Sequence, residues 1–419
     1  MDQYQSDWRM LGFGILQCLI PSVILITTPK RSALRYLPTP CMLWIAYQMM
    51  YPVRVYWIGS SCLLGNAVTF IFSALDLLLI NPHGEEDFLD SNGNINSFKS
   101  RLVKAIQLMT CTRAINTPRQ AKNVPSTPAY YTKRDPKEIP RGLFLYRETA
   151  IAMWQFLAID AIFFMASKQT LDAQEERASD PSGTQWDSPG QKLIATAIPN
   201  LIAWFIVTRL MLSFCYRISS VIFVSLGDSP SNSPPLFGRM ADVYTLRNFW
   251  GKFWHQMLRV PLTSCSNFLA RDVLGLPRLS SVERYINVFI VFFFSGLAHV
   301  VIDILRNVTP QESGTLSFFL SFVVGYMIED GVQVLWKRMH CSQSTSGEPL
   351  WWQKTVGFVW VAAWLGYTST WFFGPAVQEP ENQMVLVPFS VVGLIGFPIL
   401  GTIVLASAVV LKVIFVGEI

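Results

Sequence analysis

Charge is scarce in this chain. Asp, Glu, Lys and Arg make up 15% of its 419 residues, against roughly 25% in an average soluble domain. Histidine is scarcer still: there are four, His83, His255, His299 and His340, so acid–base chemistry has few places to reside. The seven cysteines (Cys18, Cys41, Cys62, Cys111, Cys215, Cys265, Cys341) include no Cys-x-x-Cys pair and fall mostly in or beside apolar runs. Their spacing supports neither a zinc site nor a disulfide framework. No P-loop, GxSxG, HExxH or GxGxxG stands in a useful context. Phosphoryl transfer, zinc proteolysis and hydride transfer are therefore without support. A strong net charge is missing as well. The formal balance of +5 is read by location, as loop asymmetry, and is no nucleic-acid footprint.

What is present is apolar and unevenly spread. Hydrophobic residues account for 51% of the chain, in long runs separated by polar connectors. Several runs reach the ~20 residues needed to cross a hydrocarbon core of ~30 Å. Spans are expected near 11–28, 36–51, 56–80, 148–167, 193–226, 285–305, 315–336, 354–373 and 385–415. The second is short and holds Pro38 and Pro40; the fifth carries Pro199 and Arg209 and reads as a span plus an interfacial helix. The fold expected is an all-α, polytopic membrane bundle of about nine helices, forming one domain over residues 1–419. The acidic-leaning start, MDQYQSDWR, precedes no A-x-A-like site, so the first run reads as a retained span.

Connector charge sets the expected orientation. Segment 81–147 holds eleven Lys and Arg, among them Lys133, Arg134, Lys137 and Arg141, and reads as cytoplasmic. Connector 168–192 has Lys168, Arg177 and Lys192 against Asp172, Glu175, Glu176, Asp180 and Asp187, which puts it on the opposite side. Alternation then assigns Lys30, Arg31, Arg35, segment 227–284 and the Lys337–Arg338 connector to the cytoplasm. The sequon at Asn307 falls on the lumenal side, against a span. Most of 81–147 should be loop, with a short surface helix over 98–109. The Ser229–Pro235 cluster breaks the chain before the second long cytoplasmic connector. There is no internal repeat, which counts against transporters built from inverted halves.

His299 is the most informative residue. It lies inside Val291–Asp303, an apolar run. On a helix, Ser295, His299 and Asp303 share one face. Three polar groups in lipid are costly unless they face one another or a cavity. Gly296 beside them allows a helix or a substrate to come close. The plainer alternative is an imidazole that only bonds a neighbouring helix. Around His255, residues 246–259 read as one amphipathic helix lying on the membrane surface. Phe249, Trp250, Phe253, Trp254, Met257 and Leu258 form its apolar face; Asn248, Lys252, His255 and Arg259 line the other. That polar face is either plainly interfacial or lines a cavity for an anionic, phosphate-bearing substrate. His83 reads as turn chemistry and His340 as solvated. Asp76, Asp160, Glu329 and Asp330 read as paired or cavity-facing acids, with Glu329 near the level of the site.

These residues form a pattern. Pro234-Pro235-Leu236-Phe237-Gly238, the segment from Leu246 to Arg259, and Phe294-Ser295-Gly296-Leu297-Ala298-His299 together resemble the wax-synthase-like branch of the membrane-bound O-acyltransferases. Within it the chain is similar to fungal members of terpenoid and meroterpenoid pathways that acetylate a hydroxyl. The motifs lie in 230–305; the rest matches in hydropathy and length. Lys252 and Phe253 stand where relatives often carry Arg, which bears on the phosphate contacts.

The resemblance implies a helical bundle with a buried acyl-transfer chamber, reached by acyl-CoA from the cytoplasm and by a lipophilic alcohol from the membrane. It implies His299 as general base and His255 as the second polar position of the site. Trp254, Ser295, Asp303 and Glu329 would line the chamber. Lys252, Arg259, Arg247 and Asn248 are the candidates for contacts to coenzyme A, and His255 or Asn248 for donation to the developing oxyanion. Acetyl-CoA is expected as co-substrate, with no bound cofactor, no metal and no nucleic-acid partner, in a multi-pass protein of the endoplasmic reticulum. Long-chain ester synthesis on a fatty alcohol, a membrane transporter and a non-catalytic membrane scaffold are the competing readings.

Overall fold

The computed structural model describes residues 2–50, 58–89, 96–132, 139–179, 201–305, 308–339, 349–378 and 389–415. The features expected at Lys133, Arg134, Lys137, Asp180, Asp187, Lys192, Asn307, His340 and Cys341 lie outside these residues. Among the described residues every regular element is helical, as the apolar runs require where backbone groups meet no water.

The principal helices are α1 (Asp2–Thr27), α2 (Pro38–Met50), α3 (Ile58–Leu75), α4 (Phe98–Thr110), α5 (Arg141–Ser179) and α6 (Thr208–Ser225). They are followed by α7 (Arg259–Asn267), α8 (Ser281–Leu305), α9 (Thr315–Met339), α10 (Trp351–Gln378) and α11 (Phe397–Phe415). Among the described residues, seven helical stretches are long and apolar enough to cross a membrane: Arg9–Thr27, Ser61–Ile80, Arg141–Met165, Phe205–Ser225, Ser281–Ile304, Thr315–Met339 and Phe397–Phe415, the second running from α3 through a π-turn (Asp76–Ile80) and the fourth entering α6 through another (Ala203–Val207). Seven of the nine expected spans coincide with them.

The other two differ for physical reasons. The run at 36–51 forms α2, whose 13 residues reach about 20 Å, short of the hydrocarbon thickness. Its prolines sit in the first turn, where a missing N–H is harmless, and Met42, Ile45, Ala46 and Met49 are buried. The run at 354–373 lies in α10, whose 28 residues reach about 42 Å. That is long enough to cross, but tryptophans, Gln353 and Lys354 dilute its apolar character.

Two expected boundaries also move. Helix α5 continues past the expected span end through 168–179, because Gln, Leu, Ala, Glu and Arg are good helix formers outside the bilayer. The last expected span, from 385, is interrupted at Gly396, whose φ of 82° suits a residue without Cβ; α11 begins after it. The short helix expected at 98–109 is α4, and it packs on α1 with Ala105 and Met109 buried.

Three packed groups make up the bundle. Helices α1–α4 share one core around Leu25, Met42, Ala74 and Met109. Helices α5, α6 and α11 form another, in which Asp160 accepts from the backbone N–H groups of Val391 (2.7 Å) and Val392 (3.0 Å). The third joins α8, α9 and α10 to segment 236–254 around Phe249, Phe253, Phe318 and Phe322. Helix α3 links the groups through contacts with α6, α7 and α8, and the Cys215 thiol lies 3.5 Å from that of Cys62 across the α3–α6 seam.

Helices α8 and α9 meet at Gly296. A Cβ there would stand 2.8 Å from Leu316 Cδ1, 3.3 Å from Leu316 Cα and 3.3 Å from Phe319 Cβ. The close approach is made by a helix, one of the two options the sequence left open. Gly296→Leu should overpack this seam by about 1–3 kcal/mol. A lowered melting temperature of the detergent-solubilised protein is the expected result; an unchanged one would show that the seam opens freely.

Candidate active site

The segment expected as one surface helix is folded differently. Thr245 Oγ1 accepts from the N–H of Asn248 at 3.0 Å and caps a single turn, Leu246–Asn248. That turn widens into a π-turn, Phe249–Phe253, and at Trp254 the backbone becomes extended, with ψ of 152°. An uninterrupted helix would leave one apolar face toward lipid. The break instead buries Leu246, Phe249, Phe253 and Trp254 in the α8–α10 core, where the large rings lose the most water contact. Gly238 makes the break possible. Its N–H donates to the Phe253 carbonyl at 2.8 Å, and a Cβ on it would stand 2.1 Å from the Lys252 carbonyl oxygen.

Glu329 of α9 anchors this turn. It is 7% exposed, and its carboxylate accepts from the N–H of Leu246 at 2.5 Å, the N–H of Arg247 at 3.3 Å and the Trp360 indole at 3.1 Å. Capping a helix start with a carboxylate satisfies donors that have no intrahelical partner. Beside it, Asp330 accepts from Arg247 (3.0 and 3.1 Å), Arg284 (2.5 Å) and the Tyr285 hydroxyl (2.6 Å). Asp76 is bound by Arg119 at 2.7 Å. The four acids singled out in the sequence thus all have structural partners.

His299 lies in the last third of α8, half-buried. Its Nδ1 is 2.8 Å from the Ser295 carbonyl oxygen. A carbonyl only accepts, so Nδ1 carries the proton of the neutral ring and Nε2 keeps its lone pair. The ring lies against Phe319 (4.7 Å between centroids) and Phe372 (6.0 Å). The expected stripe is present as a helix face, but Asp303 is turned to Ser313 (2.7 Å) and Thr315 (2.5 Å), where it ties the start of α9 to α8.

His255 stands at the other end of the same aromatic wall. Its ring neighbours Trp254 (5.6 Å) and Phe237 (6.3 Å); Trp254 neighbours Trp250 (6.1 Å), and Trp250 neighbours Phe319 (5.9 Å). Among the described residues, the buried Nδ1 of His255 and Nε1 of Trp250 have no hydrogen-bond partner. Burial pushes the His255 imidazole down to about 3, with the His299 and Arg113 charges acting in the same direction. His255 is therefore neutral across the physiological range.

Of the cations proposed for coenzyme A, Arg247 is held by Asp330 and lies over the Tyr326 ring at 4.6 Å. Arg259 donates from Nη1 to the carbonyls of Gly251 (2.7 Å) and Lys122 (3.1 Å). Lys252 is half-buried, and its ammonium has no described partner. The Asn248 side chain is half-buried on the same turn. Among the described residues, no group of three His, Cys, Asp or Glu side chains is placed to hold a metal ion.

Residues 233–321 match the model of the membrane bound O-acyl transferase family, and this stretch holds both histidines, the π-turn and the first turns of α9. The chain is 37% identical to acetyltransferase pyr8 of Aspergillus fumigatus, over 94% of each chain. It is 35% identical to acetyltransferase atnC of an Arthrinium species, over 92% of this chain and 91% of that one. Acetyltransferase TRI7 of Fusarium sporotrichioides is 32% identical, over 94% and 93%. The chain belongs to the membrane-bound O-acyltransferase family. No solved structure matches it.

As a membrane-bound O-acyltransferase the protein is an integral membrane enzyme that transfers an acyl group. Around the candidate site the structure adds residues for which the sequence carried no signal. Arg113, 4% exposed, donates to the carbonyls of Pro234 and Pro235, both at 2.7 Å, and to the Tyr216 hydroxyl. Asn123 donates to the Gly251 carbonyl at 3.1 Å. Both come from the loop between α4 and α5, more than a hundred residues before their partners, and no local pattern marks them. Phe372, against His299, was hidden in an apolar run.

Removing the Glu329 carboxylate would leave two backbone donors and an indole N–H unsatisfied. Glu329→Ala should cost the acyltransferase about 1–3 kcal/mol for each buried donor left bare, read as a lowered melting temperature in detergent. Asp330→Asn touches partly exposed pairs and should cost ~1 kcal/mol or less. Equal losses in the two variants would contradict the anchoring role.

Proposed function

We propose that this acyltransferase moves an acetyl group from acetyl-CoA to a hydroxyl of a lipophilic terpenoid or meroterpenoid alcohol, at the endoplasmic reticulum membrane. The observation that carries the reading is the half-buried imidazole of His299. Its Nδ1–H is fixed on the Ser295 carbonyl, which leaves Nε2 as a proton acceptor among apolar rings. The preference for acetyl is supported by the relatives, each of which is named an acetyltransferase.

An alcohol is a weak nucleophile at neutral pH. In the proposed step Nε2 of His299 takes the hydroxyl proton as the oxygen attacks the thioester carbon. The carbon–sulfur bond then breaks, the ester is released, and the thiolate of coenzyme A recovers the proton. No covalent enzyme intermediate is needed. Burial keeps His255 neutral, so it acts by hydrogen bonding rather than as a cation, and its unpartnered Nδ1 supports a place beside the reacting carbonyl. A donor aimed at the developing oxyanion stabilises the transition state more than the ground state. Trp254 and Phe319 give the chamber its apolar wall, and a water-poor site strengthens each polar contact. Lys252 is the cation left free for the phosphates of acetyl-CoA, with Arg259 beside it; Arg247 is occupied by Asp330.

General base catalysis contributes typically ~10²–10⁴-fold. His299→Ala should therefore lose at least ~100-fold in turnover in microsomes while the protein level holds. Retention of more than about a tenth of the turnover would remove His299 from the base role. Lys252→Ala should raise the acetyl-CoA KM with kcat little changed, the mark of a contact made equally in ground and transition states. The full reading is tested by supplying acetyl-CoA and a panel of terpenoid alcohols to microsomes from a host without related activities. Ester formation with acetyl-CoA but not with long-chain acyl-CoA is expected. The reverse selectivity would overturn the acetyl assignment.

A further inference from the structure

The loop between α4 and α5 makes a second set of contacts whose meaning emerges only when they are taken together. Residues 111–123 lie against the π-turn and are fastened along their length. At the start, Arg113 reaches three acceptors, the Pro234 and Pro235 carbonyls and the Tyr216 hydroxyl, and lies 5.1 Å from the centre of the Tyr216 ring. Tyr216 itself donates to the Pro234 carbonyl at 2.8 Å. In the middle, Arg119 binds Asp76 at the end of α3 and the Ser264 hydroxyl (3.0 Å) on α7. At the far end, Asn123 donates to the Gly251 carbonyl at 3.1 Å and accepts from Gln256 at 3.2 Å.

Two of these attachments flank His255. The carbonyls held by Arg113 immediately precede Leu236 and Phe237, and the Phe237 ring packs against the His255 ring. The carbonyl of Gly251, in the π-turn, accepts from Asn123, Gln256 (3.1 Å) and Arg259 (2.7 Å). Gln256, the residue after His255, is thereby tied to Asn123. The backbone of the loop is itself unusual. Ala114, Asn116 and Asn123 have φ of 49°, 59° and 61°, in the left-handed region that non-glycine residues avoid. Such conformations persist where surrounding contacts over-determine them.

We propose that residues 111–123 are a strap that positions His255 for acyl transfer, with Arg113 and Asn123 as its two positioning residues. The proposal rests on the reading of His255 as a site residue. The strap touches neither the thioester nor the alcohol; it acts through Phe237 on one side of the imidazole and through Gly251 and Gln256 on the other. A misplacement of about 1 Å can cost an enzyme ~10²-fold, so loosening either end should appear in kcat rather than in binding.

The test compares Arg113→Gln, Arg113→Lys, Asn123→Gly and His255→Ala in microsomes, at matched protein level. Glycine at 123 keeps the left-handed backbone and removes only the side-chain bond. Arg113→Gln is expected to lower kcat by about ten-fold or more with the acetyl-CoA KM within about two-fold. Asn123→Gly should lower kcat by about three-fold, again with KM held, and Arg113→Lys should recover part of the loss because one donor remains. A purely structural loop would change the amount of folded enzyme and leave turnover per molecule intact. Should Arg113→Gln fail to accumulate, the exposed Asn123 still decides the matter. If His255→Ala loses turnover while the strap variants keep theirs, the strap proposal is overturned and His255 stands. If His255→Ala itself keeps full turnover, the reading of His255 fails and takes the strap with it.

Discussion

The carboxylate of Glu329 is where the membrane-spanning part of the molecule takes hold of the part that does not span. Segment 246–255 has the aromatic content of a core and the backbone of a loop, and neither α9 nor α10 would fix its orientation by apolar packing alone. Dispersion between rings is strong but weakly directional. A buried carboxylate shared by two backbone N–H groups and the Trp360 indole supplies the direction. Once Leu246 is pinned, the π-turn must run toward α8, Trp250 meets Phe319, and His255 emerges at the far side of a wall whose near side is His299.

The same division of labour recurs through the bundle. Asp160 holds residues 391 and 392 before α11, Asp303 holds the entrance to α9, and Asp76 holds Arg119 from the loop between α4 and α5. Each acid sits on a span and binds something in a connector or at the start of the next helix. A charged group within or near a bilayer is tolerated when paired. Here the pairing places irregular backbone on regular helices.

Much of this was legible in the sequence. Long apolar runs announce spans because the hydrocarbon thickness sets a length and permits no exposed backbone. The spacing Ser295–His299 announces a shared face because helical geometry is local. The segment 246–259 misled for a related reason: its periodicity is helical, and the pull on Phe249, Phe253 and Trp254 comes from α9 and α10, residues far along the chain. A helical-wheel reading cannot contain that pull, nor the width of a π-turn. Arg113 was opaque in a different way. An arginine in a basic connector looks solvated, and only the fold shows that its acceptors are two proline carbonyls 121 and 122 residues away. The partners of Arg247 and Asp303 were hidden likewise, since they come from other elements or connectors.

Helix α5 is longer than any bilayer requires. Its 39 residues make a rod of about 58 Å, and even a tilt of 40° would leave about 45 Å along the bilayer normal, well beyond a ~30 Å hydrocarbon layer. The apolar portion ends near Met165. The remaining three or four turns must therefore stand clear of the oil, a mast on the face opposite the strap.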